Sequence, residues 1–271
     1  MNITFIGGGN MAAAMTGGLL QKGWPADAIR VVEIDAATRA RLERELRIRT
    51  YAAADAEATA ADSIVLAVKP QQMREAARAL RPAIRSQIVI TIAAGIRCPD
   101  LSRWLGGYTR IVRVMPNTPA LVLAGISGLY AMPAVAAADR ARAETIMSAV
   151  GATLWLEREE QMDAITAVSG SGPAYVFYFI EALQQAAADL GLNTADARRL
   201  ALETFAGAVR LAQTSGEEPA TLRARVTSRG GTTERALGVM DAQALKDTVI
   251  GAVRAAAARS RELGDELGKD L

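Results

Sequence analysis

With 271 residues, 51% of them hydrophobic and 22% charged, the chain is long enough for about two packed domains and is neither disordered nor fibrous. Its net charge of +2 is too small to argue for a nucleic-acid or polyanionic partner. A single cysteine, Cys98, excludes an internal disulfide, and the absence of histidine excludes Ser-His-Asp triads, Cys-His dyads and the common zinc sites.

The chain begins with four residues of strand character, Ile3-Thr4-Phe5-Ile6, that run straight into Gly7-Gly8-Gly9-Asn10-Met11-Ala12. This is a Gly-x-Gly-x-x-Ala turn with a strand before it and a helix, 10–22, after it. In a dinucleotide site each small residue has its own role. Gly7 makes the tight turn, Gly9 allows close approach of a pyrophosphate, and Ala12 allows close helix packing. Free N–H groups and the dipole at the helix start favour the phosphate anion.

Beyond Gly23-Trp24-Pro25, residues 29–34 read as a second strand ending near Glu33. That acidic residue lies about 20 residues beyond the turn, where a carboxylate accepts hydrogen bonds from an adenosine ribose. A 2′-phosphate would meet both Glu33 and Asp35, with Arg39 and Arg41 in the following helix (35–46) as the opposing feature. NADH is therefore expected to serve at least as well as NADPH. A short strand at 48–51 and a small Ala-rich helix come next. Residues 63–68 are apolar after Ser63, the pattern of a strand buried on both faces of a parallel sheet. Lys69-Pro70 ends it, and the next helix reaches residue 81. Strands are expected at 87–93, 110–115 and 126–132, then a helix at 134–150 and a last strand at 153–156. Alternating strands and helices imply a doubly wound parallel sheet, whose ligands sit beyond the carboxyl ends of the strands. Three turns then gather at one edge: 7–11, then Ala67-Val68-Lys69-Pro70, and Ala93-Ala94-Gly95. Lys69 reads as cofactor-facing or structural rather than as a proton donor, because Pro70 fixes the turn behind it. Cys98 reads as a small buried hydrophobe.

From residue 157 onward the apolar spacing is helical throughout, with helices at 163–168, 172–190, 194–214, 219–226, 232–240 and 242–267. Gly191, Gly216 and Gly230-Gly231 lie between them as stop signals. The chain thus divides into a Rossmann-type α/β domain, 1–158, and an all-α domain, 159–271. The helices between 172 and 214 carry apolar residues on arcs wider than one small domain covers, which favours a homodimer. No basic leader precedes the first charged residue, Lys22, and the most apolar run, 173–183, is too short to span a bilayer. A soluble, cytoplasmic protein is expected, with no membrane or nucleic-acid partner and no metal.

Three polar clusters remain: Val114-Met115-Pro116-Asn117-Thr118-Pro119 at the end of a strand, Ser169-Gly170-Ser171-Gly172-Pro173 before the longest apolar helix, and Val226-Thr227-Ser228-Arg229-Gly230-Gly231-Thr232-Thr233 before another helix. Each alone reads as turn and cap chemistry; each also suits a small carboxylate at a helix start. Together with Phe5 through Met11, Ala67 through Pro70 and Ile92 through Gly95, they make the chain resemble the pyrroline-5-carboxylate reductases over nearly its whole length. The spacing from Leu222 through Val226 and 230–233 to Ala236-Leu237 is far more specific than the glycine turn.

The resemblance implies hydride transfer from NADPH or NADH to the C=N bond of 1-pyrroline-5-carboxylate, giving L-proline in the last step of its biosynthesis. It implies a cofactor held by Ile6, Gly7, Gly8, Gly9, Asn10, Met11, Ala67, Val68, Lys69, Pro70, Ala93, Ala94 and Gly95, with Glu33 added from the residues themselves. The substrate would meet Ser171, Gly230, Gly231, Thr232 and Thr233, the Thr233 hydroxyl contacting the imine nitrogen. Family members dimerise through interlocking helices of the second domain, and the dimers often assemble into decamers. Two positions depart from the family: Arg229, often Pro, and the acidic Glu33-Ile34-Asp35, often neutral or basic. Two other readings stand beside this one: a dehydrogenase of the hydroxyacid or 6-phosphogluconate group, and a non-catalytic dinucleotide-sensing dimer. The first wants a positioned base and has no histidine for it; the second leaves the three polar clusters unexplained.

Overall fold

The computed structural model describes residues 1–269. Its compact units are Met1–Ser171 joined by the chain from Ala256 onward, and Gly172–Ala255. The change from strands to helices at 158 and the compact packing thus divide the chain at different places.

In chain order the first unit holds β1 (Ile3–Ile6), α1 (Asn10–Gln21), β2 (Ile29–Val32), α2 (Ala36–Leu46), β3 (Arg49–Tyr51), β4 (Ser63–Leu66), α3 (Met73–Leu80), β5 (Ile88–Thr91), α4 (Cys98–Trp104), β6 (Ile111–Met115), β7 (Gly125–Ala131), α5 (Ala137–Met147) and β8 (Gly151–Trp155). Among the described residues these strands form one sheet in the order β3-β2-β1-β4-β5-β6-β7-β8. The first six are the order of a dinucleotide-binding sheet, and it reverses at β1, between β2 and β4. Every residue of β1, β4 and β5 is buried, because helices cover both faces. Phe5, Met15, Leu19 and Leu42 pack on one side, and Ile6, Leu66, Met73, Leu80 and Trp104 on the other. Fully burying a residue such as Phe5 or Ile3 contributes about 1.5–3 kcal/mol.

The sheet is not wholly parallel as expected. β6 through β3 run together, but β7 pairs antiparallel with β6, and β8 follows β7. The connection 116–124, a short 3₁₀ turn, is too brief for a crossover, so the chain doubles back. Three local elements also differ from expectation. The expected Ala-rich helix after β3 is a set of turns, tied down where Asp55 accepts the Ala58 N–H at 2.8 Å and Thr4 donates to the Ala58 carbonyl at 2.6 Å. The helix after Pro70 opens with a 3₁₀ turn, Pro70–Gln72, before α3. And α4 is not expected from the sequence, although Pro99 and Asp100 in its first turn are ordinary start signals.

From residue 159 on, the described chain has no strand. α6 (Met162–Ile165) and a π turn (Thr166–Gly170) complete this part of the first unit; α7 (Gly172–Asp189), α8 (Thr194–Ser215), α9 (Pro219–Arg225) and α10 (Thr232–Ala242) follow, then α11 (Leu245–Leu267). Asn193 caps α8 by accepting the Asp196 N–H at 2.9 Å, and Gly191 and Gly216 take the left-handed turns between helices. In the second unit α7 packs on α8. Even so, Ile180 is the one residue α7 buries, and Phe177 and Tyr178 are 58% and 74% exposed. Val176, Leu183, Leu200, Leu202, Val209 and Leu211 are exposed too. An apolar surface of this extent on one pair of helices is the kind that a partner covers.

Candidate active site

The turns after β1, β4 and β5 stand side by side at the carboxyl edge of neighbouring strands. At the end of β1, the Gly7 N–H donates to the Val32 carbonyl at 2.8 Å, and Gly7 adopts φ +100°. A Cβ there would lie 2.9 Å from the Ala67 carbonyl oxygen, so this glycine allows two turns to touch. Gly8 is buried, and a Cβ on it would strike Leu42 at 2.8 Å and Glu33 at 3.2 Å. Gly9, the residue that caps α1, differs: a Cβ there would meet nothing within 4 Å. Protein packing does not demand a glycine at that position, whereas a ligand lying against the backbone would. Gly9 and Asn10 are exposed and Met11 is half-buried, and the first N–H groups of α1 have no partner within the helix. Lys69 is exposed at the start of the 3₁₀ turn and Val68 before it is half-buried; Ala93 and Gly95 are buried with Ala94 between them half-buried.

Glu33 does not point away into solvent. Its carboxylate accepts the Gly8 N–H at 2.8 Å and the Asp35 N–H at 2.9 Å, which places a fixed negative charge at the rim of the glycine turn. Asp35 is committed elsewhere: it caps α2 by accepting the Thr38 N–H at 2.7 Å, and the Thr38 hydroxyl together with that N–H holds its carboxyl below the usual range. Arg39 donates to the Glu33 and Ile34 carbonyls at 2.7 and 2.9 Å, while Arg41 pairs with Glu45 at 3.4 Å. Of the two arginines weighed against the acidic residues, Arg41 is turned to its own helix and Arg39 is anchored at the end of β2.

The first polar cluster is largely architectural. Arg113 interrupts an apolar strand and is buried, so it must have a partner. That partner is Glu159, 3.0 Å away, whose carboxylate also accepts the Cys98 N–H at 2.7 Å and so caps α4. Cys98 is buried, as expected, and burial pushes its thiol far up. Asn117 accepts the Ile126 N–H at 3.0 Å and starts β7. Nothing in the sequence singles out Glu159 as the partner of Arg113. The second cluster lies against the first: a Cβ on Gly170 would come within 2.6 Å of the Met115 side chain, at the end of β6. Ser169 donates to the Ile165 carbonyl at 3.0 Å, and the Ser171 N–H closes the π turn on the Thr166 carbonyl at 2.8 Å, leaving the half-buried Ser171 at the end of the first unit.

The third cluster belongs to the second unit. Gly230 takes φ +73°, which a side chain would strain. Gly231 caps α10 with φ −85°, so its backbone alone would admit any residue. What reserves Gly231 is Ser228: a Cβ would lie 2.5 Å from the serine Oγ and 3.0 Å from its carbonyl oxygen. Glu234 accepts the Gly230 N–H at 2.7 Å, so the donors left for an anion are those of Thr232 and Thr233 in the first turn. Thr233 is half-buried, and its hydroxyl makes no hydrogen bond among the described residues. An open groove lined by Gly230, Gly231, Glu234, Arg235, Gly238 and Val239 runs along this face of α10. Among the described residues, no group of three or more His, Cys, Asp or Glu side chains is placed to hold a metal ion.

Two family models match separate parts of the chain. Residues 159–263 match a family model described as pyrroline-5-carboxylate reductase dimerisation, and residues 2–95 match one described as NADP oxidoreductase, coenzyme F420-dependent. The pyrroline-5-carboxylate reductase of Pseudomonas aeruginosa is 48% identical over 269 residues, 98% of each chain. A solved pyrroline-5-carboxylate reductase from Coxiella burnetii superimposes with a TM-score of 0.92 at 41% identity, covering 97% of this chain and 98% of the other. That of Plasmodium falciparum, solved with NADP bound, superimposes at 0.87 with 28% identity, over the same shares.

Proposed function

The chain belongs to the pyrroline-5-carboxylate reductase family, and we propose that the residues assembled above carry that family's reaction in it. The protein is an NAD(P)H-dependent oxidoreductase that makes L-proline from 1-pyrroline-5-carboxylate, the last step of proline biosynthesis. The observation that carries this reading is the match of both halves, the glycine turn and the helix start at 230–233, in a single end-to-end alignment. The open space at Gly9 fits a pyrophosphate laid against the backbone. When bound, NAD(P)H supplies the hydride that reduces the C=N bond.

The chain's own part is positioning. Ile6 through Met11 hold the pyrophosphate at the start of α1, and Ala67 through Pro70 with Ala93 through Gly95 line the rest of the cofactor site. Gly230, Gly231 and the Thr232 and Thr233 N–H groups hold the substrate carboxylate, and the Thr233 hydroxyl bonds the ring nitrogen; Ser171 is the further substrate residue that the family resemblance implies. A cyclic imine arrives already able to carry a proton, so orientation and charge stabilisation matter more than a strong acid. That is why a chain without histidine suffices. In domain terms, 1–158 carries the cofactor turns, and 159–271 carries the loop for the substrate and the helices for the dimer.

The acidic rim sets cofactor choice. A 2′-phosphate carries nearly two negative charges and would sit beside the Glu33 carboxylate; about 1.4 kcal/mol of repulsion shifts preference tenfold. With pyrroline-5-carboxylate as substrate, kcat/KM for NADH is expected to equal or exceed that for NADPH. Glu33→Gln, which keeps an acceptor for the Gly8 N–H, is expected to move the ratio about tenfold toward NADPH. Absence of proline with both cofactors would overturn the function itself. A strong NADPH preference untouched by the substitution would assign the choice to Arg39.

The matched dimerisation domain implies a homodimer, and the exposed apolar faces of α7 and α8 supply its surface. Assembly of dimers into decamers, as in the family, is the further step. Sedimentation at assay concentration should show no active monomer; a folded, active monomer would contradict the dimer. Among the described residues no helix is long and apolar enough to cross a membrane. A cytoplasmic setting, without nucleic-acid or membrane partners, fits the small net charge and the single free cysteine.

A further inference from the structure

The geometry points to the last two turns of α11 as a positioning element for the cofactor turn Ala93-Ala94-Gly95. This inference rests on the reading of that turn as part of the cofactor site. Gly95 takes φ +74° with Leu267 packed directly over it: a Cβ on Gly95 would lie 2.9 Å from Leu267 Cδ1 and 3.6 Å from Leu263 Cβ. The helix is held there by basic side chains from three places in the first unit. Arg97, two residues beyond Gly95, pairs with Asp265 at 2.7 Å and donates to the Arg261 carbonyl at 3.0 Å. Arg103 on α4 donates to the Gly268 carbonyl at 2.6 Å, and Arg74 on α3 bonds the Lys269 carbonyl. The last carbonyls of a helix have no partner within it and carry the negative end of its dipole, so guanidinium groups are suited to them.

The fit is close along the whole contact. Gly264 is buried, and a Cβ on it would come within 2.9 Å of the Arg97 guanidinium. At Gly268 a Cβ would lie 2.4 Å from the Asp100 carboxylate, which itself holds Arg103 at 3.0 Å. One turn earlier, Ser260 donates to Asp163 at 2.6 Å and anchors the helix at a point remote from the turn. Leu267 therefore presses on Gly95 from a helix that cannot recoil. Gly95 in turn has no side chain with which to keep its own place. The position of the turn at the end of β5 depends on a segment far along the chain, and cofactor affinity depends on it with no direct contact required.

The test is NADPH titration by nucleotide fluorescence on the full-length protein, alongside KM for pyrroline-5-carboxylate and Tm. Leu267→Ala is expected to raise the NADPH Kd at least fivefold with the substrate KM within twofold, and Leu267→Met to restore it. Ser260→Ala, which loosens the same helix away from the turn, is expected to lower Tm and leave Kd unchanged. A Kd within twofold of the parent for Leu267→Ala, or an equal rise for Ser260→Ala, would overturn the proposal. Should Leu267→Ala fail to fold, Leu267→Val carries the same comparison. Ala94→Glu, which puts a carboxylate into the turn itself, separates the two readings. If it too leaves Kd unchanged, the turn is not in the cofactor site; if it alone raises Kd, the turn binds cofactor and α11 does not position it.

Discussion

Gly231→Val is expected to raise KM for 1-pyrroline-5-carboxylate by well over tenfold while leaving the Kd for NADPH within about twofold. The backbone at Gly231 is extended and would tolerate a side chain; the obstacle is the turn it closes. Its N–H donates to the Ser228 carbonyl at 3.0 Å, and a Cβ would be forced against that oxygen and the serine Oγ. Oγ can rotate away, but the carbonyl cannot without opening the turn, and a branched side chain leaves less room still. An opened turn moves the N–H groups of Thr232 and Thr233 off the substrate carboxylate, and each hydrogen bond to a charged group is worth about 1.5–3 kcal/mol. Loss of one already exceeds a factor of ten. Gly230 cannot compensate, since Glu234 already occupies its N–H. The glycine turn after β1 lies in the other compact unit, so cofactor binding should not follow. Steady-state KM and a separate nucleotide titration decide the matter. An unchanged KM would remove this loop from the site.

Thr233 gives the second large effect. If its hydroxyl bonds the ring nitrogen, Thr233→Ala should cost about 1–3 kcal/mol in kcat/KM, roughly 5- to 150-fold. The structure favours such a role, because Thr233 is half-buried in the first turn of α10 and its hydroxyl has no partner among the described residues. Thr233→Ser should retain most activity, since it keeps the oxygen and loses one methyl. Alanine and serine variants of equal activity would mean that the oxygen is not the relevant atom. A loss confined to KM would instead assign Thr233 to ground-state binding rather than to the transition state.

Much of this site is legible in the sequence because the rules it obeys are local. The glycine turn, the strand ahead of it and the helix behind it lie close together in the chain. Gly191, Gly216 and Gly230 mark helix boundaries through backbone freedom that needs no tertiary partner. The unbroken apolar runs at β4 and β5 announce burial on both faces. The wide apolar arcs of α7 and α8 announce more surface than one chain covers. The motif at 230–233 stands out by its spacing, but backbone freedom, the usual reason for a glycine in a turn, does not explain Gly231; its contact with Ser228 does.

What the tertiary structure decided were pairings between residues far apart in the chain. The antiparallel pairing of β7 with β6 was seen only in the fold, although the shortness of 116–124, which rules out a crossover, is readable in the sequence. Arg113 had to find an acid, but only packing brings Glu159 to it. The distance of Glu33 from the turn places it at the cofactor rim, yet its bond to the Gly8 N–H, and the withdrawal of Asp35 into a helix cap, required the fold. The seat of Leu267 on Gly95 likewise joins segments far apart in the chain. Backbone preference acts over a few residues and can be read in order. Charge pairing and close packing act through space, between side chains whose separation along the chain carries no record of their distance in the folded protein.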